Sequence, residues 1–530
     1  MVEYSRFLPW VLSGFGFFLF FPFSHLLSLI CLILFIVGWR DYRQEQHSVL
    51  RNYPVSGHLR FMLEYIRPEI RQYFLESDEE NLPFSRNQRA MVYSRAKRQN
   101  DARGFGTIKS VYGKDTEWIG HSASPKVADP DTFRIRIGGP QCTQPYQASI
   151  FNISAMSFGS LSANAILALN RGAKIGGFYH DTGEGSISSY HRENGGDLVW
   201  EIGSGYFGCR TPDGKFDAER FTEQAAAPQV KMIEIKMSQG AKPGHGGVLP
   251  AAKVTIEIAA TRGVSMGQNC VSPASHSAFS NPIELMAFIR QLRELSGGKP
   301  VGFKLCIGQP WEWFAIAKAM TETDTYPDFI VVDGSEGGTG AAPVEFADYM
   351  GMPMREGLRL VHNTLVGMGK RDLVRIGASG KIISAFDIAR AIALGADWCN
   401  SARGFMFALG CIQSRSCHTD TCPTGVATQD PNRQRALVVP DKATRVANFH
   451  ELTIDALSEL VGAAGLQHPE QFTADHIMVR GEGGQPVTLA ATLPTVAKAA
   501  LLDDAGMSGL PEPFRSYWAT ASAQSFERHH

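Results

Sequence analysis

Pro300-Val-Gly-Phe-Lys-Leu-Cys-Ile-Gly-Gln-Pro-Trp-Glu-Trp-Phe-Ala-Ile-Ala-Lys-Ala-Met-Thr-Glu-Thr-Asp-Thr-Tyr-Pro-Asp-Phe-Ile-Val-Val-Asp333 contains a complete structural unit. A short apolar run (300–306) is followed by glycine, a helical pattern (311–322) and a second apolar run (328–333). Strand, helix and strand in that order make a right-handed crossover between parallel strands. Working outward, the same alternation predicts strands at 149–155, 175–180, 231–237, 265–271, 300–306, 328–333, 372–378 and 396–400. Helical patterns fall at 161–174, 250–262, 281–296, 311–322, 355–368 and 384–394. Eight strands alternating with helices over about 260 residues argue for an α/β fold of the (β/α)8, or TIM barrel, type. A doubly wound sheet is the competing layout, but it carries a phosphate loop after its first strand. Gly203-Ser-Gly-Tyr-Phe-Gly208 fits the dinucleotide fingerprint by letter. The turn Pro212-Asp-Gly214 that follows removes the strand–helix context the fingerprint needs.

The rest of the 530 residues divides around this barrel. Residues 7–39 are almost wholly apolar and lack Asp, Glu, Lys and Arg. One helix through them would be about 50 Å long against a hydrocarbon core of about 30 Å. Pro22 at the midpoint favours two transmembrane helices, roughly 7–21 and 25–39. Arg6, Arg40 and Arg43 flank the pair, so the positive-inside rule places both ends in the cytoplasm. A cleaved signal peptide is the other reading, but Trp39-Arg40-Asp41 lacks small residues for cleavage. The expected domains are a membrane hairpin (1–43), a helical collar (44–130), the barrel (131–440) and a helical C-terminal tail (441–530). A net charge of −1 and the lack of a long basic run give no sign of nucleic-acid binding.

Barrel chemistry sits at the C-terminal ends of strands. Those ends carry Ser154-Ala155-Met156-Ser157, Asp181-Thr-Gly-Glu184, Lys236-Met-Ser-Gln239, Lys304, Asp333-Gly334, Ser379-Gly380 and Arg403-Gly404. The last two are the expected phosphate loops, because glycines let backbone N–H groups face an anion. Gly337-Gly338-Thr339-Gly340 follows the sixth strand and is expected to line a ring system or substrate. Nine cysteines are too few for a disulfide scaffold in a chain this long. Three of them bunch as Cys411, Cys417 and Cys422, with Pro423 next. Three thiolates satisfy a three-iron cluster, while a four-iron cluster or zinc would want a fourth ligand, for which His418 is a candidate. Inert buried thiols are the third reading.

These segments resemble the synthase domain of the glutamate synthase family, in particular its stand-alone FMN-binding form with an N-terminal membrane hairpin. The resemblance rests on Ser154-Ala-Met-Ser-Phe-Gly-Ser160, Lys236-Met-Ser-Gln-Gly-Ala-Lys-Pro-Gly244, Gly337-Gly-Thr-Gly-Ala341 and Gly410-Cys-Ile-Gln-Ser-Arg-Ser-Cys-His-Thr-Asp-Thr-Cys-Pro-Thr-Gly-Val-Ala-Thr-Gln429. It implies FMN in the barrel mouth, contacted by Ser154, Ala155, Met156, Ser157, Lys236, Lys304, Gly338, Gly340, Ser379, Gly380 and Gly404. It implies a 3Fe-4S cluster on Cys411, Cys417 and Cys422. Gln239, Lys242 and Arg262 would hold the carboxylates of 2-oxoglutarate or a related oxo acid. Glu184 and Lys236 would be catalytic. The implied reaction is reductive amination of 2-oxoglutarate to glutamate by hydride transfer from FMN, an oxidoreductase activity on CH-NH2 donors. Electrons would come through the cluster from a ferredoxin-like donor, and nitrogen from ammonia or an amidotransferase partner. The expected location is the inner membrane, with the catalytic domain cytoplasmic. His245 and Val248 depart from the Glu and Gln that the family's large synthases carry. That departure keeps two alternatives open: a membrane dehydrogenase of another amino or hydroxy acid reducing quinone, and an FMN-binding redox sensor.

Overall fold

A computed structural model describes residues 5–78, 80, 83–114, 116–481, 483–502 and 509–528. The chain divides into two compact units, Met1–Arg89 and Ala90–His530.

In the larger unit, eight parallel strands close a barrel. In chain order they are β1 (Phe151–Ile153), β2 (His180–Asp181), β3 (Leu198–Ile202), β4 (Val230–Lys236), β5 (Val301–Leu305), β6 (Phe329–Asp333), β7 (Arg375–Ser379) and β8 (Trp398–Ser401). Each pairs with its neighbours in sequence, and β8 closes on β1 through Cys399–Phe151, Asn400–Asn152 and Ser401–Ile153. The TIM barrel expected from the alternation is therefore observed. One predicted strand is replaced by another. Residues 265–271 contribute only Cys270–Val271, which pairs antiparallel with Val248–Leu249 outside the barrel. The fourth place in the sheet belongs to Val230–Lys236, because the missed Leu198–Ile202 takes the third. That strand carries Glu201 in a fully buried run, which interrupts the apolar signal. The strand expected at 175–180 shrinks to His180–Asp181, since the helix Ala163–Gly176 runs further than its pattern suggested.

Several of the crossover helices begin at side-chain caps. Ser162 accepts from the Ala165 N–H, Asn281 from Glu284, and Ser384 forms a reciprocal capping box with Asp387. A ribbon of Arg134–Ile137 and Tyr146–Ser149 plugs the N-terminal end of the barrel. Its Ile135, Ile137 and Ala148 pack on Tyr179, Val199, Met232, Phe329, Val331 and Trp398. An apolar floor of this kind leaves the opposite, C-terminal end for chemistry.

The segment beyond 440 starts as expected with one long helix, Val439–Ala463, packed on Ala163–Gly176. It is not helical throughout. Ile477–Arg480 and Pro486–Thr488 are strands that form a sheet with Glu117–Ile119 from the expected collar. The β-branched and alternating residues of Ile-Met-Val-Arg and Pro-Val-Thr suit extended pairing.

In the smaller unit, helices Leu8–Phe20 and His25–Arg43 form a hairpin turned at Phe21-Pro22-Phe23. Its inner face is small and polar. Ser13, Ser28, Gly16 and Gly38 are buried, and Ser28 Oγ donates to Phe17 O at 2.9 Å. A Cβ on Gly38 would lie 2.3 Å from the Trp10 ring, so the helices need glycine to approach this closely. The outer face is apolar, with Phe15, Phe18, Phe23, Leu26 and Ile36 exposed. His25–Arg43 is long and apolar enough to cross a membrane, whereas Ser5–Phe20 is shorter.

Candidate active site

The loops after β2, β3 and β4 converge on Glu184. Its carboxylate pairs with Lys236 Nζ at 3.2 Å and accepts from Ser272 Oγ at 3.4 Å. Gly203 and Gly247 make room for it. A Cβ at Gly247 would stand 1.8 Å from Oε1, and one at Gly203 would stand 2.9 Å from the Glu184 Cβ. Burial alone would raise this carboxyl, but Lys236, Arg262 and Lys242 outweigh it and hold Glu184 below the usual carboxylate range. It is an anion fixed in a cationic surround.

Lys236 ends β4, and a buried relay fixes its backbone. His276 Nε2 donates to Lys236 O at 2.9 Å, which leaves Nδ1 to accept from Tyr206 Oη at 3.1 Å. The Tyr206 oxygen takes the N–H groups of Ser277 and Ala278. Burial pushes the His276 imidazole down to about 4, so it serves here as a neutral spacer. Tyr206 belongs to the Gly203–Gly208 segment, which forms a turn after β3 and not a strand-to-helix phosphate loop.

Lys242 is 3% exposed. Burial and the like charge of Lys236 both lower its pKa, and Glu184 only partly compensates. Among the described residues its Nζ makes no hydrogen bond or ion pair. A buried ammonium without a carboxylate partner beside another lysine is a prepared site for an anion. Gln239, half-buried, lies on the same loop.

Two residues expected at the mouth are committed elsewhere. Arg262 is buried behind the first loop, where Nη2 donates to Phe158 O at 3.0 Å and the guanidinium lies over the Phe207 ring at 5.2 Å. Lys304 is drawn down into the barrel, paired with Glu201 and, at 3.3 Å, with Glu234. Asp181 joins this layer, and one oxygen from each of the three carboxylates lies within 4.8 Å of the others. The ammonium of Lys304 fills the place a cation would take.

On the far rim, Ser154 Oγ and Ser379 Oγ meet at 3.4 Å. Gly380 has φ +154, and its missing Cβ leaves a cradle beside Met354 and Glu336. Lys381 and Arg403 flank the two expected phosphate loops. Burial lowers both, Arg403 to about 10, and Lys381 is lowered further by Arg403. Their mutual proximity makes this rim favourable for a phosphate, so the residues present fit the phosphate end of FMN. Both cations stand next to the glycines already singled out, and that adjacency was the signal for them. Gly340 has open space around its Cα, while Gly338 packs on Arg403.

Behind the β1 loop runs the cysteine loop. Burial alone would raise the Cys422 thiol, but the N–H groups of Ala427, Thr424 and Val426 and the Thr424 hydroxyl hold it below its ordinary value. Burial and neighbouring Cys422 raise Cys417. The Cys411 sulfur accepts the Gln413 N–H at 3.5 Å, and Tyr93 Oη holds the Cys411 carbonyl at 2.6 Å. Gln413, Arg415 and Asp420 all sit in the left-handed region (φ 61, 58 and 62), a strained winding that the surrounding hydrogen bonds must maintain. A loop that stabilises one thiolate next to a second thiol fits a metal–sulfur ligand set. It is also laced to the β1 loop. Gln429 Nε2 donates to Gly159 O and Leu161 O, and the Ser162 N–H to Val426 O.

A closed parallel barrel with a lysine-bearing mouth and a three-cysteine loop tied to the loop after its first strand defines the class. Residues 137–467 match the family described as the conserved region in glutamate synthase. The chain belongs to the glutamate synthase family. It is 38% identical over 515 residues to the glutamate synthase large subunit-like protein YerD of Bacillus subtilis, covering 87% of this chain and 98% of that one. It is 36% identical over 332 residues to the archaeal glutamate synthase [NADPH] of Methanocaldococcus jannaschii, covering 62% of each. The glutamate synthase [NADPH] large chain of Bacillus subtilis matches at 34% over 330 residues, 60% of this chain and 20% of that one.

Proposed function

We propose that the protein is a membrane-anchored, glutamate synthase-like oxidoreductase that uses FMN and an iron–sulfur cluster to aminate 2-oxoglutarate reductively. The observation that carries this reading is Lys242, a buried ammonium next to Lys236 with no carboxylate partner of its own among the described residues. A dicarboxylate oxo acid relieves that charge through charge-assisted hydrogen bonds. Lys242 and Gln239 then orient the substrate. Glu184 stays anionic beside Lys236, and its carboxylate relays the proton lost by the adding ammonia to the departing hydroxyl of the adduct, which leaves as water to give the imine that is reduced. Lys236, paired with Glu184, stabilises negative charge that develops in the mouth. Arg262 donates to the Ser157 hydroxyl and the Phe158 carbonyl and thereby holds the shape of the β1 loop.

FMN would be held by the Ser154–Ser157 loop, Ser379-Gly380, Lys381 and Arg403-Gly404, and when bound it supplies the reducing equivalents for the new C–H bond. Cys411, Cys417 and Cys422 would hold a 3Fe-4S cluster, which supplies single electrons. The hairpin supports the anchor: its helices bury small residues and expose Phe and Leu, the reverse of a water-soluble pair.

The test uses full-length protein purified anaerobically in detergent. It should contain flavin, iron and sulfide. Once reduced, it should form glutamate from 2-oxoglutarate and ammonia, and Lys242→Met should remove the effect of 2-oxoglutarate on flavin absorbance. Flavin reoxidation without an amino acid product would refute the substrate. Protein lacking both flavin and iron would refute the whole reading.

A further inference from the structure

The buried side chain of Lys253, in the turn Ala251–Lys253, has no part in the substrate site. Its Nζ donates to three backbone carbonyls, Ser160 at 3.4 Å, Cys417 at 3.0 Å and Ala427 at 3.0 Å. The first belongs to the loop after β1, the other two to the cysteine loop. Together with Gln429, which takes the Gly159 and Leu161 carbonyls, it captures three consecutive carbonyls of the β1 loop from the cysteine side. All three ammonium protons are thus used on neutral acceptors, and among the described residues no carboxylate pairs with this cation. The acidic groups within its electrostatic reach are Asp420 and the thiols of Cys417 and Cys422.

A neutral donor could have satisfied carbonyls. A positive charge 3% exposed to solvent costs less to bury where negative charge lies close by. Asp420 provides part of that charge and three thiolates holding a cluster would provide more, and one-electron reduction of the cluster would add a further unit. A fixed cation nearby favours the reduced form.

We propose that Lys253 is a positioning residue that clamps the flavin-side loop to the cysteine loop and, through its charge, raises the reduction potential of the cluster those cysteines hold. This rests on the iron–sulfur reading given above.

The test compares full-length wild type with Lys253→Gln and Lys253→Arg, each isolated anaerobically. Iron and sulfide content come first, and the midpoint potential of the cluster is then read by electron paramagnetic resonance during redox titration. Gln keeps a donor and loses the charge. It should lower the cluster's reduction equilibrium constant at least tenfold, about 59 mV for one electron. Arg should restore the wild-type potential, and the flavin potential should move less than the cluster's. Loss of the cluster in Lys253→Gln but not in Lys253→Arg would also support the role of the charge. An unchanged potential in Lys253→Gln, or equal loss of the cluster in both variants, would overturn the proposal while leaving the cluster reading intact. A wild type without iron and sulfide would instead fail the underlying reading.

Discussion

Replacing Lys304 with Met probes the polar layer beneath the mouth. Asp181, Glu201 and Glu234 share one small volume inside the barrel, and Lys304 is the cation paired there. Burial raises the Glu234 carboxyl well above its usual range. Burial and Glu201 raise Asp181 from 3.8 to about 7. Both carboxyls therefore keep their protons to a higher pH than free ones, and Lys304 is the cation set against this layer through its pairs with Glu201 and Glu234. Removing one partner of a buried pair costs about 3–5 kcal/mol, because the other charge is left uncompensated. The sign of the pH dependence follows from linkage. An acid whose folded pKa is raised binds its proton more tightly when folded, so its stabilising contribution is full below the unfolded pKa and is lost as pH rises to the folded one. For Asp181 in the wild type that window runs from about pH 4 to pH 7, roughly three units at about 1.4 kcal/mol each. In Lys304→Met the buried carboxylates have no cation opposite them, and the loss continues above pH 7. Urea unfolding of both proteins at pH 5 and pH 8 reads the difference. The variant should lose about 3–5 kcal/mol at pH 8 and much less at pH 5. A penalty equal at the two pH values, or below about 1 kcal/mol at pH 8, would refute the assignment of Lys304 as the charge that balances this layer.

Gly247→Ala would place a methyl carbon 1.8 Å from Glu184 Oε1, forcing the carboxylate away from Lys236. Steady-state kinetics should show kcat/KM down about 100-fold, the cost of displacing a reacting group by about 1 Å; wild-type rates would mean Glu184 is not held by this contact. Deleting residues 5–43 should move the protein from the membrane fraction to the supernatant in ultracentrifugation with its flavin retained, and a deletion protein that still sediments with membranes would remove the hairpin as the anchor.

Glu184 and Lys236 were singled out in the sequence because each stands at or near a strand end, and barrel geometry brings strand ends together; Lys242 entered through the family resemblance. Lys304 met the same local criterion and Arg262 entered only through the family resemblance, yet both side chains are turned inward to partners that no spacing reveals. Phe158 lies 104 residues from Arg262, and Glu201 lies 103 from Lys304. The apolar strand β3 was missed for a related reason. Its Glu201 looks like a surface residue until the barrel closes and supplies Lys304 as partner. Conversely, the weak run at 265–271 kept the strand count at eight while standing outside the sheet. The same logic hid Lys253, whose three acceptors lie 93, 164 and 174 residues away. Residue type and spacing thus list the charges available to a barrel mouth. Which of them face a ligand is decided by long-range pairs, and a cation such as Lys242 becomes informative when the folded chain leaves it buried with no carboxylate of its own.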